Sequence, residues 1–118
     1  MKKYFLLSVI FALFIQLKAQ VFKLYTSQDG LVSNNIKCIA LDNSGNLWLG
    51  TSSNISKYDG TIFTTINSGL AGSNIKALHC DASGIMWVGT QTGLSKYNGT
   101  GFTNYSTTNG LPNNNITA

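Results

Sequence analysis

From Ile36 onward the apolar residues fall into short runs separated by Asp, Asn, Ser and Gly, a spacing that reads as β-strands joined by turns. Residues 36–41, 46–50, 55–58 and 62–66 form four strands, and residues 75–80, 85–89, 94–97 and 101–105 repeat the series. Asp42-Asn43-Ser44-Gly45 supplies a turn, with a carboxylate to accept backbone hydrogen bonds and a glycine free to take positive φ. Asp59-Gly60 and Asn98-Gly99 carry hairpin chemistry between the third and fourth strands. Alternation along the second strand sends Trp48 to one face and Leu47 and Leu49 to the other, and Trp87 opposes Met86 and Val88 in the same way. Both faces are therefore apolar, whereas a sheet with one wet face alternates more cleanly. The small residues Cys38, Ala40 and Ala77 share one face of the first strands, as expected where strands crowd near an axis.

The two series are copies. An offset of 39 residues carries Asp42 to Asp81, Gly45 to Gly84, Trp48 to Trp87, Thr51 to Thr90 and Tyr58 to Tyr97. A repeat of about 40 residues with four antiparallel strands reads as a β-propeller blade, a unit that buries its faces only by stacking on its own kind. The expected fold class is all-β, with two complete blades over residues 34–66 and 73–105. Residues 21–25 align with the fourth strand through Phe22, Phe63 and Phe102 and are expected to form an outermost strand. Gly110-Leu111 with Asn115-Ile116 repeats Gly30-Leu31 with Asn35-Ile36 and Gly69-Leu70 with Asn74-Ile75, so a third blade is expected to start over residues 115–118. A ring of 4 to 8 blades needs roughly 160 to 320 residues. The chain is accordingly expected to be an incomplete propeller, completed by further blades of a longer protein or by other copies of itself.

Residues 1–19 have a different character. Lys2 and Lys3 precede an apolar run from Tyr4 to Ile15, and Leu17-Lys18-Ala19 precedes Gln20, the layout of a secretory signal peptide. Gln16 and Lys18 end that run short of the roughly 18 to 20 residues a membrane span requires. Residues 20–118 are therefore expected to be exported, to the periplasm or the extracellular space, with no stable membrane span. Without the leader, five lysines face four aspartates, and the basic character largely disappears. Arginine is absent, which removes the bidentate contacts that dominate phosphate and guanine recognition and argues against nucleic acid as a partner.

Little in the sequence resembles catalytic or metal chemistry. His79 is the sole histidine and there is no glutamate, so neither a metal site nor a cofactor is expected. Asp42 and Asp81 are equivalent turn residues, Asp59 has Asn98 as its copy, and Asp29 lies in a loop without an evident partner. Gly99-Thr100-Gly101 belongs to a hairpin rather than a phosphate loop. Cys38 and Cys80 occupy different slots of the repeat and read as two thiols used for packing. Because Trp48 and Trp87 recur in every repeat, they read as packing residues. No ligand-binding residue can be named from the sequence.

The recurring positions resemble the two-component regulator propeller repeat, whose pattern is I-x-x-I-x-x-D-x-x-G-x-L-W-x-G-T-x-x-G-L-x-x-Y-x-G-x-x-F. The first copy supplies Ile36, Ile39, Asp42, Gly45, Leu47, Trp48, Gly50, Thr51, Tyr58, Gly60 and Phe63, and the second runs from Ile75 to Phe102. Asn54-Ile55 replaces the pattern's Gly-Leu, and Asn is the residue that best tolerates positive φ after Gly. The resemblance implies the ligand-sensing part of an exported sensor, with an extracytoplasmic oligosaccharide as one expected ligand and no signalling output in this chain. A free secreted propeller serving as a binding or scaffold protein is the alternative, with a propeller-shaped lyase a more distant one.

Overall fold

Side chains of the turns decide where each strand stops. Thr51 Oγ1 donates to the Asn54 carbonyl at 2.9 Å and accepts from Ser53 N at 2.9 Å; Thr90 does the same with Gly93 and Thr92. The Asp59 carboxylate takes Thr61 N and Ile62 N, while the Asn98 side-chain oxygen takes Thr100 N and Gly101 N. Between these closures the computed structural model, which describes residues 22–117, places β1 Ile36–Leu41, β2 Leu47–Thr51, β3 Asn54–Tyr58 and β4 Phe63–Ile66. The second repeat supplies β5 Ile75–Cys80, β6 Met86–Thr90, β7 Gly93–Tyr97 and β8 Phe102–Tyr105. The second strand of each repeat lies one residue later than the sequence pattern predicts, because the buried threonine belongs to the ladder and also closes the following turn.

The strands form two antiparallel meanders, β1-β2-β3-β4 and β5-β6-β7-β8, with matching registers such as Trp48 opposite Lys57 and Trp87 opposite Lys96. Asn54 takes φ 87°, the left-handed conformation expected of it where the second copy has Gly93. The only helical turns among the described residues are two short 3₁₀ segments, Ser27–Asp29 and Thr107–Asn109.

The two sheets are propeller blades stacked face to face. Trp48, Ile55, Cys38 and Ala40 on one face of the first blade meet Met86, Val88, Leu78 and Tyr97 on the facing side of the second. Full burial of such side chains contributes about 1.5–3 kcal/mol each. Ile75, at the start of β5, fits into the first blade at Gly50: a Cβ added there would lie 2.5 Å from Ile75 Cγ2. The connectors are pinned as well, since Val32 N donates to Ser56 Oγ and Ala71 N to Ser95 Oγ, each at 2.8 Å.

Residues 22–25 do not form the expected strand. They run as irregular backbone with Phe22 97% exposed, because the outer edges of β3 and β7 are already paired to β4 and β8. Residues 115–117 also lack strand pairing, although Ile116 N donates to the Thr90 carbonyl at 2.9 Å and its side chain fills the space at Gly89. The expected export segment, residues 1–19, and residues 20, 21 and 118 lie outside the described residues.

Candidate functional site

The Asp of each first turn and the Trp six residues later form a clamp that the sequence pattern alone did not connect. Asp42 Oδ1 accepts from Ser44 N and Asn46 N, and Oδ2 accepts from the Asn46 amide and from Trp48 Nε1 at 2.9 Å. Asp81 repeats this with Ser83 N, Ile85 N and Trp87 Nε1, again at 2.9 Å. A buried indole needs a partner for its N–H, and the turn carboxylate provides one. The recurrence of Asp and Trp at this spacing was the available signal.

Partial burial alone would raise the Asp42 carboxyl, but the hydrogen bonds from Trp48, Asn46 and Ser44 outweigh it and hold the group below its ordinary value. The Trp87 indole and the Ile85 amide lower Asp81 likewise. Both carboxylates are thereby committed as acceptors, which suits them to holding structure rather than to moving protons. Lys57 Nζ stands 3.8 Å from Asp42 Oδ2 and 5.3 Å from the Trp48 ring centroid.

These groups border a cleft of about 230 Å³ between the blades, opposite Tyr97, Gly84 and Met86. Asn43, Ser44 and Asn46 line its first-blade side. The cleft thus presents an ammonium, amide and hydroxyl groups and the edge of a tyrosine, a combination that suits a ligand rich in hydroxyls. Trp48 offers it no stacking surface, because it is 1% exposed and packs against Tyr97 at 5.3 Å between ring centroids.

The remaining sequence candidates are dispersed. His79 is exposed on β5 opposite Trp87. Asp29 has a partner after all: its carboxylate accepts from Thr26 N at 2.8 Å in a capping box. Cys38 and Cys80 are free and half-buried along the blade interface, and burial pushes the Cys38 thiol above its ordinary value. No group of three or more His, Cys, Asp or Glu able to hold a metal occurs among the described residues.

The largest uncovered apolar surfaces are the two outer blade faces. The first blade exposes Ile39 and Leu41, and the second leaves Trp87, Leu94 and Tyr105 along an open hollow of about 300 Å³. Among the described residues no helix is long and apolar enough to cross a membrane.

Residues 30–53 and 69–92 match the family model described as two component regulator propeller. A protein named histidine kinase P4 from Formosa agariphila is 43% identical over 53 residues, which cover 42% of this chain and 4% of that protein. The crystal structure of the extracellular domain of a hybrid two component system from B. thetaiotaomicron matches with a TM-score of 0.72 and 24% identity, over 84% of this chain and 14% of that one. The chain thus spans only a small part of the proteins it matches. Its two repeats are two-component regulator propeller repeats.

Proposed function

We propose that these blades form part of an exported, ligand-binding propeller in a two-component-type sensor. The observation that carries the reading is the coincidence of the two matched segments with two stacked blades joined by one repeated interface. Export is supported by the Lys2-Lys3 start and the apolar run after it, and by a structural neighbour described as an extracellular domain. The sensor reading is supported by a relative named as a histidine kinase. The ligand class is hydroxyl-rich, an oligosaccharide, and the inter-blade cleft at Lys57 and Tyr97 supplies matching chemistry.

Two measurements test this reading. Alkaline phosphatase fused after Ala118 in a Gram-negative host becomes active only outside the cytoplasm, and activity is expected. Short neutral and acidic oligosaccharides titrated into the purified protein are expected to shift the amide signals of residues 42–46 and 97–99, with Lys57→Ala weakening the binding. An inactive fusion, or silence of those signals toward every oligosaccharide, would count against the reading.

A further inference from the structure

The interface inside the chain also describes the partner that its open faces would accept. Each outer face is the counterpart of a face already buried between the blades. On the first blade Leu47 stands where Met86 does, Tyr58 where Tyr97 does and Ile36 where Ile75 does. On the second, Trp87 stands for Trp48, Leu94 for Ile55 and Gly89 for Gly50.

The flanking segments make the match specific to this sequence. Residues 22–36 and 102–116 share one design: Phe22 and Tyr25 correspond to Phe102 and Tyr105, and both segments carry a capping box. In both, an Asn side chain clasps the 3₁₀ turn, Asn34 Oδ1 accepting from Ser27 N at 2.6 Å and Asn114 Oδ1 from Thr107 N at 2.7 Å. The connector between the blades has a different length and no such turn: Phe63 precedes Ile75 by 12 residues, while Phe22 precedes Ile36 by 14 and Phe102 precedes Ile116 by 14. The segment entering blade one and the segment leaving blade two are therefore interchangeable with each other. Tyr25 already lies on Tyr58 and Phe63, at 5.4 and 5.5 Å between centroids, in the place that Tyr105 of another copy would take.

We propose that the open face of the second blade binds the first blade of a second copy of this chain, head to tail. Tyr58 of the second copy covers Trp87, and Ile36 of the second copy enters the notch at Gly89, displacing Ile116. Ile116 is the part that yields, since one backbone hydrogen bond to Thr90 ties it down whereas β8 is paired along its length to β7. Lys37 Nζ donates to Asn74 Oδ1 at 2.9 Å across the internal interface, so Lys76 faces Asn35 of the second copy across the new one. A heterologous contact of this kind closes into a ring when its rotation permits and otherwise extends. The proposal concerns assembly and does not depend on the ligand.

Sedimentation velocity of the purified protein over a concentration series tests it. Assembly is expected to rise with concentration and to shift Trp87 emission to the blue. Ile36→Asp should weaken association on the order of tenfold or more, while Ile116→Asp should leave it unchanged or strengthen it. Asn35→Lys changes an exposed residue outside both cores and sets two ammonium groups against each other, so it should weaken association without unfolding the blades. Lys76→Glu in the same chain should restore it. A single-chain species at every concentration, equal effects of Ile36→Asp and Ile116→Asp, or failure of Lys76→Glu to rescue would each overturn the proposal.

Discussion

Trp48 and Trp87 occupy the same place in successive repeats, and each donates its indole N–H to the turn carboxylate six residues earlier at 2.9 Å. Lysines lie over both rings, at 5.3 and 5.5 Å. Trp48 is nevertheless buried to 1% exposure and Trp87 only half-buried. The same contrast separates Ile75, fully buried, from Ile36 at 39% exposure. Local structure in these blades is set within each repeat, whereas burial is set by whatever lies against the face. Equivalent residues can therefore contribute very differently to stability.

Replacing the two tryptophans is the strongest way to break the comparison. Trp48→Ala is expected to cost about 3–5 kcal/mol, the range for large aromatic deletions from a packed core, and Trp87→Ala less than half of that. Urea unfolding of the two variants measures the difference, and equal losses would mean that the second blade's outer face is covered in solution. Next in size is the notch. Gly50→Val forces a side chain against Ile75 and Cys38 Sγ, the latter 2.4 Å from an added Cβ, at a cost of about 1–3 kcal/mol. Gly89→Val displaces only the loosely held Ile116 and should cost much less in the same measurement.

The turn that replaces Gly with Asn gives a smaller, asymmetric effect. Asn54→Gly should change stability by only a few tenths of a kcal/mol, because Asn accepts φ 87° and Gly relieves little. Gly93→Asn should destabilise clearly, since φ there is 148° and an added Cβ would lie 2.7 Å from the Tyr105 carbonyl. Thermal melting of the two variants distinguishes these outcomes.

The smallest expected effect is on acid stability. Asp42 and Asp81 have folded pKa values below their model value of 3.8. Their stabilisation is fully present above the unfolded carboxylate range and is lost as pH falls through the lowered folded values. Unfolding midpoints should thus hold steady down to about pH 4 and fall below it. Asp42→Asn and Asp81→Asn should flatten that fall, and an unchanged pH profile in the double variant would remove the clamp from the account.

Much of the fold was legible because its determinants lie close together in the sequence. Asp59-Gly60 and Asn98-Gly99 mark hairpins, and two-sided apolar strands require two covered faces. The clamp between Asp42 and Trp48 was present as a spacing, but nothing in the spacing says that the carboxylate turns toward the indole. The notch at Gly50 was less legible, since it joins that glycine to Ile75, 25 residues later, and a glycine in a strand has several possible meanings. The expected strand at residues 21–25 failed because pairing depends on a free edge, which a segment cannot supply for itself.

By itself the sequence determined the repeat, the meander within each repeat and the identity of the turn residues, because hairpins and Asx turns are governed by neighbours a few residues apart. Only the tertiary structure decided which of two equivalent faces is core, which isoleucine fills a glycine notch and which aromatic strand stays unpaired. Burial is a property of two surfaces in contact, and one repeat read alone contains only one of them.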